Sequence, residues 1–247
     1  LKAVVASDFH ADWTSLGIAR FDEVRSAALQ AVNYAIAIKA ELFLFPGDLA
    51  DPDTGGGTFR AVALAIELAF LLNRAGIPSV WINGNHDVCE DGTGASVLTP
   101  LAALTRHING IYVAEKPEVF WPVKDWLGVL CLPFMPASHG VDMAEATREL
   151  WKTIPPSARV LVLSHLSIPG IVPGTETTEL PRGREVLYPV AETTKATYRV
   201  SGHYHKRQAF DPGDGGPPIY VAGAVARLGF GEQEHDPSFM VLDIPEM

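Results

Sequence analysis

The stretch Val80-Trp-Ile-Asn-Gly-Asn-His-Asp-Val-Cys-Glu90 runs from an apolar segment straight into an amide, an imidazole and a carboxylate. Ser79 to Ile82 has the composition of a buried strand. Asn83-Gly84 is a turn pair, because Gly takes positive φ without steric cost and Asn tolerates it. Turn chemistry accounts for those two residues. It leaves Asn85, His86 and Asp87, which are costly to desolvate, standing at the end of a buried strand.

Outward from this turn, the chain alternates between two hydrophobic periods. "LKAVVAS" (1–7), "ELFLF" (41–45) and "IPSVWI" (77–82) read as strands. Between them, "FDEVRSAALQAVNYAIAIKA" (21–40) places Val24, Ala28, Val32, Ala35 and Ile36 on one helical side, and "TFRAVALAIELAFLLNRAG" (58–76) is a second helix closed by Gly76. Strand, helix, strand, helix, strand is the signature of a parallel sheet built from βαβ units. The second half is richer in strands: "GIYVA", "WLGVLCLPF", "RVLVLSH", "TYRVSGHYH", "PIYVAGAV" and "SFMVLDI", with one helix near "MAEATRELWK". The Pro/Gly-rich stretches "SIPGIVPG", "LPRGRE" and "DPGDGGPP" read as loops, and no linker or fixed-period repeat divides the chain. The expectation is one α/β domain over residues 1–247, with two packed sheets and outer helices.

Ligands of open α/β sheets bind beyond the carboxyl ends of the strands. Those ends carry Asp8 and His10; Asp48; Asn85, His86 and Asp87; His165; and His203 and His205. Five of the eight histidines fall in this set, while His107, His139 and His235 sit in ordinary loop or helix-end contexts. Imidazoles and carboxylates gathered away from thiols suit manganese, iron or zinc. In Asp8-x-His10 and His203-x-His205, alternate residues of an extended segment face the same way. Such a set is too large for one tetrahedral ion but suits two ions sharing a carboxylate. Two ions about 3.5–4 Å apart can hold a phosphate and lower the pKa of a bridging water, giving a hydroxide nucleophile at neutral pH.

Hydrophobic residues make up 47% of the 247 and charged ones 19%, which excludes a disordered chain. Two cysteines, Cys89 and Cys131, offer neither a disulfide framework nor a CxxC zinc site. No apolar run is expected to span a membrane, and the chain opens directly on a strand, so a cytoplasmic location is expected. A formal net charge of −10 weighs against broad nucleic-acid binding, although bound divalent ions would offset it locally.

In their order along the chain, Asp8-x-His10, Gly47-Asp48, Gly84-Asn85-His86-Asp87, His165 and Gly202-His203-x-His205 resemble the motifs of the calcineurin-like metallophosphoesterases. The resemblance implies a four-layer α/β/β/α sandwich of two mixed sheets flanked by helices, without a capping domain. It implies Asp8, His10 and His205 on one metal, Asn85, His165 and His203 on the other, and Asp48 bridging. Two divalent ions are implied as cofactors, manganese first, with iron or zinc as alternatives. His86 matches a histidine that contacts the phosphate and protonates the leaving oxygen, with Asp87 orienting its imidazole.

Within that family, "RFDEVRSAALQAVNYAIAIKAELFLFPGDLADP", "GHYHKRQ" and "PIYVAGAVARLGFGEQE" are similar to the SbcD-type DNA repair nucleases. The expected activity is therefore a two-metal phosphodiesterase cutting DNA as an exo- or endonuclease. The alternative keeps the centre and takes cyclic nucleotides or other small phosphoesters; a non-catalytic scaffold is a minor third reading. Lys206 and Arg207 follow the last motif and could meet a phosphate. Ala224 stands where those nucleases carry a serine, and no counterpart of their ATPase-docking segment follows, which weighs against an ATPase partner. The expected partners are DNA or a small phosphodiester, with a homodimer left open and no membrane.

Overall fold

Alternation along the first strand, Lys2-Ala-Val-Val5, already separates two cores: Ala3 and Val5 face one, and Val4 faces the other. A computed structural model describes residues 1–89, 93–123, 126–172, 186–229, 232–233 and 236–245, of Asp53 the backbone alone. The first half contains β1 (Lys2–Val5), a small hairpin of β2 (Thr14–Ser15) and β3 (Ile18–Ala19), α1 (Phe21–Ala37), β4 (Leu42–Phe45), α2 (Gly56–Arg74) and β5 (Ser79–Ile82). Next come α3 (Thr99–Thr105), β6 (Ile111–Ala114), β7 (Glu118–Val123), β8 (Leu127–Leu132) and α4 (Met143–Thr153). The chain closes with β9 (Arg159–Ser164), β10 (Tyr198–Ser201), β11 (Gln208–Phe210), β12 (Ile219–Val221) and β13 (Met240–Asp243).

Two sheets form, in the orders β13-β1-β4-β5-β6 and β11-β12-β10-β9-β8-β7. Both are mixed. β1, β4, β5 and β6 run parallel with β13 antiparallel at one edge. β12, β10, β9 and β8 run parallel with β11 and β7 antiparallel at the edges. Between the sheets lie Ala3, Val5, Leu42, Leu44, Val80 and Ile82 from one, and Leu127, Val129, Leu161, Leu163 and Val200 from the other. Each Val, Leu or Ile among them stabilises the fold by about 1.5–3 kcal/mol relative to exposure. On the outer face of the first sheet, Val4, Phe43, Phe45 and Trp81 pack against Val24, Ala28 and Val32 of α1 and Leu64, Leu68 and Leu72 of α2. On the outer face of the second, Leu130, Leu132, Val160 and Val162 meet Met143, Leu150 and Trp151 of α4. The four layers are thus α, β, β, α, as expected. Cys131 is buried between the sheets, and burial pushes its thiol well above the usual range.

The structure departs from the sequence reading at β7, α3 and α2, and in the short strands β2, β3 and β11, which that reading did not contain. β7 escapes that reading because Pro122 interrupts its apolar run; it lies at a sheet edge, half-buried throughout, with a register shift between Phe120 and Val123. The seven-residue α3 escapes it too, since it buries only Leu101 and offers no periodicity. By length and composition α2 is apolar enough to cross a membrane, contrary to the expectation that no run would be. In the fold it buries Ala61, Leu64, Ala65, Leu68, Ala69 and Leu72 and pairs Glu67 with Arg25 of α1. The "LPRGRE" loop lies outside the described residues.

Candidate metal centre

Parallel pairing brings the carboxyl ends of β1, β4 and β5 together, and likewise those of β9 and β10. Beyond β1 the chain zips onto the chain beyond β4. Asp8 N–H donates to the Gly47 carbonyl at 3.0 Å, Phe9 N–H to that of Asp48 at 2.7 Å, and Ala11 N–H to that of Leu49 at 2.8 Å. A parallel bridge of Ser7 to Ala224 ties β1 to the chain beyond β12. Four site residues have left-handed backbones: Asp8 (φ 54°), His10 (42°), Asp48 (61°) and His203 (79°). Non-glycine residues held this way cost about 1–3 kcal/mol each and persist only where neighbours over-determine them. Close approach explains the flanking glycines. A Cβ at Gly84 would overlap the Asp48 carboxylate, and one at Gly202 would strike Ser7, the Pro46 carbonyl and the His165 ring.

All nine predicted site residues lie at this edge, and their ligating atoms fall into overlapping groups. Asp8, His10 and His205 have atoms mutually within 4.8 Å, as do Asp48, His165 and His203, and as do His10, Asp48 and His86. Asp48 stands between the first two. Its Oδ1 accepts the His86 N–H at 2.9 Å, while its Oδ2 lies 3.5 Å from His10 Nε2 and 3.2 Å from His165 Nε2. Asn85 Oδ1 lies 3.1 Å from His165 Nε2 and 2.8 Å from His203 Nδ1. Outer hydrogen bonds set two tautomers. His165 Nδ1–H donates to the Pro46 carbonyl at 2.5 Å, and His205 Nδ1–H donates to Glu232 Oε1 at 2.7 Å. When neutral, each ring therefore turns an Nε2 lone pair inward, His205 Nε2 reaching 3.2 Å from His10 Nε2. Asp8 Oδ1 accepts from His203 N–H at 3.0 Å, but its buried Oδ2 has no hydrogen-bond partner. Converging acceptors with an orphaned carboxylate oxygen fit two divalent cations sharing Asp48.

Residues 1–207 match the profile of the calcineurin-like phosphoesterases. The chain belongs to this family. A dimetal phosphatase from Danio rerio has a similar structure, with 11% identity and a TM-score of 0.55 over 98% of this chain and 91% of that one. TT1561 of Thermus thermophilus is similar at 13% identity and a TM-score of 0.56, over 90% of this chain and 89% of that one. At such identities the likeness carries the fold alone. No curated protein sequence matches the chain.

Burial acts on Asp8, His10, Asp48, His165 and His203 of this phosphoesterase centre. It raises the Asp8 carboxyl against the opposing pull of His165 and His205. Burial would raise Asp48 as well, but His165 and His10 outweigh it and hold that carboxyl well below the usual range. Burial would lower His165, yet Asp48, Asp8 and the Pro46 carbonyl push it up to about 9. Burial lowers His10 well below its usual value, and with His165 brings His203 down to about 3. His10 and His203 held neutral beside an ionised Asp48 are the protonation states that metal binding requires, whereas His165 would have to give up a proton to an entering cation.

Asp87 does not have the role expected of it. Both oxygens are taken by main-chain amides: Oδ1 accepts from Leu49 at 2.7 Å and Ala50 at 3.2 Å, and Oδ2 from Asp48 at 2.8 Å and Gly84 at 2.7 Å. It is fully buried, and burial with the Asp48 charge pushes its carboxyl up to about 7 against the pull of those amides. Asp87 is a positioning residue for the Asp48 and Gly84 turns, and the His86 ring makes no hydrogen bond to it. Glu232 is the residue the sequence reading missed. It orients His205 with Oε1 and accepts the Leu228 N–H at 2.6 Å with Oε2. Lys206 and Arg207 are exposed, as are His107 and His139; His235 lies outside the described residues.

In Asp87→Asn, an amide NH2 would face two of these buried N–H donors. The metal-free variant is expected to lose about 2–5 kcal/mol in urea unfolding and to bind manganese more weakly. A variant as stable as wild type, with only leaving-group protonation slowed, would restore the imidazole-orienting role.

Proposed function

We propose that this phosphoesterase hydrolyses small phosphoesters, rather than the DNA that the nuclease-like stretches suggested. The observation that carries the reading is a dimetal donor set with an acidic margin. Two residues past His10, the Asp12 carboxylate accepts the Asp51 N–H at 3.0 Å and the Thr54 hydroxyl at 2.5 Å; Asp51 itself stands three residues past Asp48. DNA carries one negative charge per about 1.7 Å of helix, and its binding rests on Lys and Arg neutralising phosphates. Here the chain as a whole has a formal charge of −10, and Lys206 and Arg207 are the cations next to the last motif. A small ester with one or two charges meets far less repulsion.

The residues that would hold two divalent ions are Asp8, His10 and His205 on one side, Asn85, His165 and His203 on the other, and Asp48 between, with manganese, iron or zinc suited to the donors. Such a pair supplies charge stabilisation for a phosphoryl group and an activated nucleophile at neutral pH. The chain's own residues then place the ester and the proton. His86 has its main chain held by Asp48, and its ring centroid stands 4.9 Å from that of His10. Half-buried, the ring faces the same centre and has no described side-chain partner competing for its N–H. In this reading the His86 ring gives a proton to the ester oxygen as its bond to phosphorus breaks.

With manganese, the protein is expected to turn over bis-p-nitrophenyl phosphate and nucleoside cyclic phosphates, to lose that activity in excess chelator, and to leave linear single- and double-stranded DNA intact. Salt-sensitive DNA cutting, with small esters untouched, would return the assignment to the nuclease branch. His86→Ala is expected to retain both ions and to lose about 10²–10⁴-fold in kcat on alkyl esters, whose leaving group needs a proton. The loss should be smaller on p-nitrophenyl esters. An equal loss on both, or a lost metal, would contradict the general-acid role.

A further inference from the structure

Trp13 is an exposed aromatic beside the centre that the hydrolytic residues do not use. It leaves the site loop in a tight turn, its N–H donating to the His10 carbonyl at 2.9 Å, and its ring stands edge-on to the His10 imidazole with centroids 6.2 Å apart. The ring is held in place. Its Nε1–H donates to the Leu228 carbonyl at 3.0 Å, which also accepts the Ser15 hydroxyl at 2.6 Å, and the Trp13 carbonyl accepts the Arg20 N–H at 2.9 Å. Yet 40% of the residue remains in solvent. A single exposed apolar side chain is ordinary on a protein surface. An indole fixed by its own N–H, partly in solvent and next to a candidate metal ligand, is a preorganised apolar wall at the mouth of a polar site.

We infer that the exposed face of Trp13 stacks on an aromatic group of the substrate, so that the esters preferred are aryl or nucleoside phosphoesters. The inference rests on the small-ester reading above and narrows it. A phosphate at the His10, His205 and Asp48 side of the centre leaves its ester substituent to extend past the edge of the His10 ring, where the indole lies. Aromatic pairs are favourable at centroid separations of about 4.5–7 Å, in offset or edge-on arrangements that a partly exposed ring permits. An alkyl substituent would gain little there.

Trp13 also reaches the centre through the chain: the Leu228 N–H is bound by Glu232, which orients His205. The test must separate stacking from that support. Binding of a nucleoside monophosphate and of inorganic phosphate to the manganese-loaded protein is measured by calorimetry for wild type, Trp13→Ala and Trp13→Phe. KM and kcat are measured for paired aryl and alkyl phosphodiesters. Base–aromatic stacking predicts that Trp13→Ala reduces the affinity ratio of nucleotide to phosphate by about 10–100-fold, with the loss on aryl esters in KM. Trp13→Phe, which keeps a ring but loses the indole N–H, should recover most of that ratio. Equal weakening of nucleotide and phosphate, or failure of Trp13→Phe to recover the ratio, would make Trp13 a support for His205 and overturn the inference. Wild type binding no nucleoside monophosphate would overturn it too. Wild type turning over no small ester while binding nucleotide in this way would instead refute the small-ester function and leave the stacking site standing.

Discussion

One buried carboxylate joins the two turns on which the centre depends. Asp87 accepts hydrogen bonds from Asp48, Leu49 and Ala50 beyond β4 and from Gly84 beyond β5. Those four amides have no solvent to turn to, and an unsatisfied buried donor costs about 1–3 kcal/mol. Satisfying them with one acceptor locks the bridging Asp48 to the turn that carries Asn85 and His86. The lock permits the left-handed backbone at Asp48, and it needs glycine at position 84, where a side chain would enter the Asp48 carboxylate. Strain at the site is thus supported by saturated main-chain bonding beneath it.

The second sheet contributes by the same logic with different parts. His165 and His205 are each fixed through Nδ1, one by the Pro46 carbonyl and the other by Glu232, so their Nε2 atoms point inward. Pro46 belongs to the β4 turn, so a main-chain atom of the first sheet orients a ligand of the second. The Glu232 side chain also caps the Leu228 amide, whose carbonyl anchors Trp13 and Ser15. Metal-facing geometry and the aromatic edge of the site are therefore mechanically connected.

The layered fold and the edge where the site lies were legible because buried strands and amphipathic helices have distinct periods, and because polar residues at strand ends stand out against apolar runs. The grouping of Asp8, His10, Asp48, Asn85, His165, His203 and His205 followed from that edge. The orienting role that the resemblance implied for Asp87 fails because main-chain amides occupy both of its oxygens. In a turn, the side chain closest in sequence is free to point elsewhere, and the main-chain donors of another strand end claimed it. Glu232 lies inside a stretch singled out in the sequence, but it stands 27 residues beyond His205, with no period to tie its side chain to that ring. β7 was hidden by Pro122, which an edge strand tolerates and a central one does not. The acidic margin at Asp12 and Asp51 emerged only when the β1 and β4 turns were seen to bond to each other.

Asp48 sharing two ions is the claim on which the chemistry rests, and it can be tested without any substrate. Crystals of the manganese-loaded protein measured at the metal absorption edge should show two anomalous peaks. One should be bounded by Asp8, His10 and His205, the other by Asn85, His165 and His203, with a carboxylate oxygen of Asp48 reaching both. A single peak, or two peaks of which only one touches Asp48, would contradict the account.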